Sequence, residues 1–230
     1  MSNPSVVSIQ LTAGVANGIA LSQTPAAAGN LTLNGSLVSG GAVTFATPRR
    51  VVVASTGNDA NIIFTVNGTN RSGAPISSAV TGVTSTNSVY TALDFATVTS
   101  IAVSGATAGA ITAGTNGVGS TDWVLDNFLA PTWNLSVAVS IASGAGTYTV
   151  EHTYDDLNKN LPSLSPAPQQ FSMEAASYSP PKAWPNVVLV NQAAQGEYQY
   201  VSPIMAHRLT VTSGTGQFIM QSIQSGMGDP

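Results

Sequence analysis

IIFTVNGTNRSGAPISSAV, residues 62–80, is the stretch on which the fold turns. Ile62, Phe64 and Val66 alternate with smaller or polar residues at the two-residue period of a half-buried strand. Asn70 to Gly73 supplies residues that enter a tight turn at little cost, and PISSAV alternates again. The stretch therefore predicts a β-hairpin: a strand from about Ile62 to Thr69, a turn through Asn70–Gly73, and a return toward Val80.

The same grammar extends in both directions from this hairpin. Val7, Ile9 and Leu11; Leu31 and Leu33; Leu135, Val137, Val139 and Ile141; Tyr148 and Val150; and Leu209 and Val211 are each spaced to share one face of a sheet. Asn34-Gly35, Asn67-Gly68, Ser104-Gly105 and Ser213-Gly214 read as turns between them. Helix signals are weak, since no window joins a 3.6-residue apolar stripe to a cap. In TALDFATVTSI, a loop anchored by Phe95 is expected to lead into a strand SIAVS. The predicted class is all-β: an antiparallel β-sandwich, as two jelly-roll-like or Ig-like sandwich domains with a long Pro-rich loop. Residues 1–28 are expected as an N-terminal arm or first strands, 29–119 as one domain and 120–230 as the second. PRRVVVASTG at 48–57 followed by NDANIIFTVNG echoes AHRLTVTSGTG at 206–216 followed by QFIMQSIQSG, as two related units would. The Pro-rich loop, 161–185, holds six prolines, which forbid a central strand. It also holds Phe171, Tyr178 and Trp184, aromatic anchors that a solvated linker lacks.

The chain keeps an ordinary apolar fraction, 43%, with only 7% charged residues, against roughly 25% in an average domain. Ser, Thr, Asn, Gln and Gly take the place of charge, so the chain can collapse and is not of the disordered class. Six Lys plus Arg and a net charge of −4 make no basic stripe, and nucleic acid and anionic membranes are poor partners. Every apolar run is cut well before the roughly 18 residues of a membrane span. The start MSNPSVVSIQL has neither a basic n-region nor an apolar h-region, so no export signal is expected there. Zero cysteines remove disulfides, thiolate metal sites and cysteine nucleophiles.

Few constellations carry chemistry. EHTYDD, Glu151–Asp156, gathers an imidazole and three carboxylates, but on a strand Glu151 and Asp155 face away from His152 and Asp156. It reads as a polar strand end running into a turn, with a cation site as the rival reading. Two histidines and no GxSxG argue against serine hydrolysis, and GTNGVGS lacks the lysine and helix of a phosphate-binding loop. Arg49-Arg50 reads as a solvated strand start. Trp184, Tyr178, Phe171, Tyr198 and Tyr200 allow three readings: a plug of the sandwich end, a subunit interface, or a sugar-stacking platform. No catalytic residue, metal or cofactor is assigned, and Phe171, Tyr178 and Trp184 are the partner-interface candidates.

LSQTPAAAGNLTLNGSLVSGGAV, TPRRVVVASTGNDANIIFTVNGTNRSGAPISSAVTG and LDFATVTSIAVSGATAGAITAGTNG resemble the small β-rich virion proteins of tailed bacteriophages. NLSVAVSIASGAGTYTVEHTYDD and MAHRLTVTSGTGQFIMQSIQSG resemble the same class. The resemblance implies a structural component of the particle, of the capsid decoration or head-to-tail adaptor type, and not an enzyme. Its expected partners are other virion proteins (capsid, portal, neck or tail) and further copies of itself, in a virion assembled in the bacterial host cytoplasm. The alternative is a carbohydrate-binding host-recognition module on a fibre or capsid surface, which would bind a glycan through the aromatic loop. Independently of resemblance, so few charges cannot guard many strand edges against pairing, which points to edges covered by partners.

Overall fold

The computed structural model describes residues 3–84, 87–127, 133–155 and 182–225. No helix is found among them, and the chain is all-β. In chain order the strands are β1 (Asn3–Gln10), β2 (Ala20–Gln23), β3 (Gly29–Asn30), β4 (Val38–Ser39), β5 (Ala42–Arg49), β6 (Val52–Ser55), β7 (Ile63–Thr69), β8 (Pro75–Thr81), β9 (Ser88–Tyr90) and β10 (Phe95–Val103). They continue as β11 (Ile111–Gly114), β12 (Gly119–Ser120), β13 (Val124–Leu125), β14 (Asn134–Ser143), β15 (Gly146–Thr153), β16 (Trp184–Pro185), β17 (Gly196–Tyr200), β18 (Ala206–Gly214) and β19 (Gln217–Ser225).

They form two compact units. Among the described residues the first takes 13–117 and the second takes 3–12 together with everything from Val118 onward. The segment 1–28 thus divides between them: Asn3–Gln10 pairs antiparallel with β19 along its whole length, so this part is a strand of the second unit. In sequence, the first unit lies between residues 3–12 and the long segment from Val118 onward, which together make the second.

In the first unit, a six-stranded sheet ordered β4-β5-β10-β7-β8, with β3 also on β10, shares one core with a four-stranded sheet ordered β2-β11-β6-β9. Val43, Phe64, Val66, Ile76, Phe95, Val98 and Ile101 from the larger sheet meet Ala20, Val53, Ile111 and Ala113 from the smaller. The second unit repeats the plan with β1-β19-β14-β17 and β12-β18-β15-β16, β13 also pairing with β18. Its core joins Leu135, Val137, Val139, Phe218 and Met220 to Tyr148, Val150, Leu209 and Val211. Each Val, Leu, Ile, Phe or Met side chain so buried contributes roughly 2 kcal/mol. Every alternating set read from the sequence lies in or against one of these cores.

The hairpin at 62–80 forms as β7 and β8. Its turn is held by Asn70, whose Oδ1 accepts the N–H groups of Ser72 (3.1 Å) and Ala74 (2.9 Å) and the Ser72 hydroxyl (2.9 Å). Gly73 follows at φ +81°, a left-handed conformation that glycine adopts without strain. Asn67-Gly68, expected as a turn, lies inside β7 instead. A Cβ at Gly68 would stand 1.8 Å from the Thr97 carbonyl oxygen of β10, so glycine is required by close approach and not by a turn. Phe95 likewise belongs to β10 itself, in register with Arg49, and not to a preceding loop.

The echoed segments are not simple hairpins. β6 lies in the smaller sheet of the first unit and β7 in the larger; β18 and β19 likewise lie in opposite sheets of the second. Each turn carries the chain across the sandwich. In the second unit the two crossings meet where Thr215 N and Gly216 N both donate to Ala145 O (3.1 and 3.0 Å). In the first they are tied by Asp59, 1% exposed, whose carboxylate accepts the Ser55 hydroxyl and the N–H groups of Ala108 (2.6 Å) and Gly109 (3.3 Å).

Candidate functional site

Of the three interface candidates, Phe171 and Tyr178 lie outside the described residues, as does Asp156. Trp184 forms the short edge strand β16 with Pro185 and sits opposite His152 of β15. Its side chain is 43% exposed, and the Lys182 ammonium lies 3.9 Å from its ring centroid, so a cation already occupies one aromatic face. Lys182 is placed by its own N–H, which donates to Asp155 Oδ2 at 2.7 Å. Beyond Trp184, buried Asn186 accepts the N–H groups of Val188 (2.8 Å) and Leu189 (2.9 Å). Leu189 plugs the core, while Val187, Val188 and Val190 are left exposed. Trp184 and these valines are exposed apolar side chains within the segment 184–190 of the second unit.

The EHTYDD cluster splits between faces. Glu151 points outward, accepting Arg208 Nε and the Thr210 hydroxyl, each at 2.8 Å. The Arg208 guanidinium stacks 4.5 Å over Trp123. His152 points inward, edge-on to Tyr154 and Tyr200 at 5.3 and 5.4 Å between centroids. Burial holds its pKa below the ordinary imidazole value. Behind it lies a pair that sequence reading missed: His207 Nδ1 and Asp126 Oδ2, 2.9 Å apart and both buried. Burial pushes the Asp126 carboxyl up, against the opposing pull of His207. Tyr200 is pushed up to about 12, chiefly by burial. His207 is 0% exposed, so its imidazole meets no substrate and the pair fastens the end of the sandwich. Among the described residues no three His, Asp or Glu converge on a metal position.

Arg49 and Arg50 do not make the solvated strand start expected of them. Arg49 is 3% exposed, with its guanidinium 5.7 Å from the Phe45 ring, and burial lowers its pKa. Arg50 Nε lies 3.8 Å from Asp94 Oδ1 and its guanidinium 5.6 Å from the Tyr90 ring. Two of the few cations are thus spent inside the first unit.

The outer sheet faces carry few charges, the exposed charged side chains among the described residues being Arg71, Asp122, Asp155, Lys182 and Glu197. On the outer face of the larger sheet of the first unit, Asn67 Nδ2 donates to Ser100 Oγ (3.1 Å) and the Thr69 and Thr97 hydroxyls lie 2.8 Å apart. Ser77, Ala79 and Thr81 continue that face along β8. In the second unit, registration across β1, β19, β14 and β17 lines up Pro4, Ile223, Ser136 and Gln199 in one row and Val6, Gln221, Ala138 and Glu197 in the next. Glu197 is the single ionisable group in those rows. A shallow groove of about 640 Å³ on the smaller sheet of the first unit is lined by residues such as Val52, Ala54, Thr112 and Asn116, with no charge among its walls. Two long strands end their sheets with one side unpaired among the described residues: β1, eight residues, and β8, seven, neither carrying an ionisable side chain. No helix among the described residues is long and apolar enough to cross a membrane.

No protein-family model matches the chain, and no curated protein matches it significantly.

Proposed function

We propose that the chain is a structural component of a tailed-phage virion, binding capsid, neck or tail as a symmetric oligomer in the manner of a decoration protein or a head-to-tail adaptor. The observation that carries this reading is the pair of long, uncharged strands β1 and β8, each ending its sheet among the described residues. Monomeric β proteins usually guard such edges with lysines, bulges or covering loops. Copies placed side by side with so little charge also repel one another weakly. The resemblance in style to small β-rich virion proteins supports the same reading and supplies its setting, a particle assembled in the host cytoplasm. The exposed apolar side chains of Trp184, Val187, Val188 and Val190 suit a protein partner. Glycan stacking is less favoured at Trp184, where Lys182 covers one ring face.

Particles assembled without this protein provide the test. Purified full-length chain is expected to bind them at a fixed ratio of copies per particle. A chain that fails to bind such particles, and that binds cell-envelope glycans through Trp184 instead, overturns the proposal in favour of host recognition.

A further inference from the structure

β8 is the last strand of its sheet and pairs, among the described residues, with β7 alone. In an antiparallel ladder, opposed residues alternate between exchanging hydrogen bonds and turning their backbone groups away. At the two ends of this ladder Gly82 N donates to Ile62 O (2.7 Å) and Asn70 N to Ala74 O (2.9 Å). The even-numbered pairs between them therefore bond, and Pro75, Ser77, Ala79 and Thr81 turn their backbone groups to the open edge. Two observations agree with this phase. Pro75, which has no N–H, stands at an outward position, where a ladder does not need one. On β7 the odd-numbered residues direct their groups toward β10, as Ser104 N to Ile63 O (3.0 Å) and Thr69 N to Thr97 Oγ1 (3.1 Å) record.

We propose that this edge pairs with the same edge of a second copy of the chain, antiparallel, about a two-fold axis at Ser78. The inference rests on the assembly reading above and names one of its contacts. Centred on Ser78, the sequence PISSAVT matches itself in chemistry when reversed. Ile76 faces Val80, Ser77 faces Ala79, Pro75 faces Thr81, and Ser78 faces Ser78. The N–H groups of Ser77, Ala79 and Thr81 find the carbonyls of Ala79, Ser77 and Pro75 of the second copy. The two missing donors, one at each copy's Pro75, fall at the ends of the ladder. Ile76 and Val80, 2% and 7% exposed, point into the core, so the facing Ile–Val pairs extend an apolar layer from one copy into the next. No like charge meets itself across the axis, the usual obstacle to isologous pairing. β1 is as long and as neutral but has no such centre: about Val6 or Val7 a serine faces a valine or an isoleucine. β17 carries Glu197, and the remaining sheet edges are strands of four residues or fewer.

The test uses the full chain in sedimentation velocity across a concentration series. The wild type is expected to dimerise. Ala79→Lys, at an exposed position that leaves the β7 ladder intact, should weaken the dimer on the order of tenfold or more. Ala79→Lys combined with Ser77→Asp should restore it, because opposite charges then face each other across the axis. The chain has no cysteine, so Ser78→Cys under mild oxidation should give a covalent dimer and Thr81→Cys should not. An oligomer unmoved by Ala79→Lys, or Ser78→Cys that stays uncrosslinked, overturns the β8 axis and leaves the assembly reading standing. A wild type that is monomeric throughout, yet binds particles lacking the protein, overturns the axis alone.

Discussion

His152 sits where a strand position, a core and a titratable ring coincide. Alternation along β15 turns it inward beside Tyr200, and the resulting burial disfavours the imidazolium in the folded state. A group whose folded pKa is depressed stabilises the fold above its unfolded value, about 6.5, and loses that contribution as pH falls through the folded value. Urea denaturation midpoints are therefore expected to hold from pH 8 to 7 and to drop between pH 6.5 and 5, and His152→Phe should flatten that drop. The inward direction of His152 is legible from alternation alone. The His207–Asp126 pair is not, because 81 residues separate its members and only the pairing of β13 with β18 brings them together. Arg49 misled for a related reason: a basic residue at a strand start reads as solvated, and only the fold shows the Phe45 ring beside it.

At the scale of elements, the sequence announces strands well and sheets poorly. The hairpin of β7 and β8 is readable because alternation and the Asn70 turn agree. The crossings of the sandwich are not, since a Ser/Thr/Gly turn looks the same whether the next strand returns beside its neighbour or enters the opposite sheet. Asn67-Gly68 shows the same limit: a Gly demanded by the Thr97 carbonyl resembles a Gly demanded by a turn. What fixes the first unit's crossing is Asp59, which gathers the Ser55 hydroxyl and two backbone donors from the loop between β10 and β11. Asp59→Ala strands these donors in the interior and should cost about 3 kcal/mol, read as a lower denaturation midpoint, with Asp59→Asn costing less. A midpoint unchanged in Asp59→Ala would show that the crossings hold without it.

For the whole molecule, scarce charge has consequences in each unit. Several of the few ions are consumed internally, as in Arg50 with Asp94 and Arg208 with Glu151. Hydroxyl and amide pairs lie on the outer face of the larger sheet of the first unit, and among the described residues the long edges of β1 and β8 carry neither an ionisable side chain nor a further strand. Surfaces of that kind associate through backbone hydrogen bonds and apolar contact, which salt screens little, whereas ion-paired interfaces weaken as ionic strength rises. The most direct measurement is sedimentation velocity of the full chain over a concentration series at about 0.05 M and 0.5 M salt. The account predicts species at multiples of 23.3 kDa, with a dissociation constant that salt leaves essentially unchanged. A 23.3 kDa monomer at every concentration that also fails to bind particles lacking the protein, or an oligomer that high salt dissolves, would contradict it.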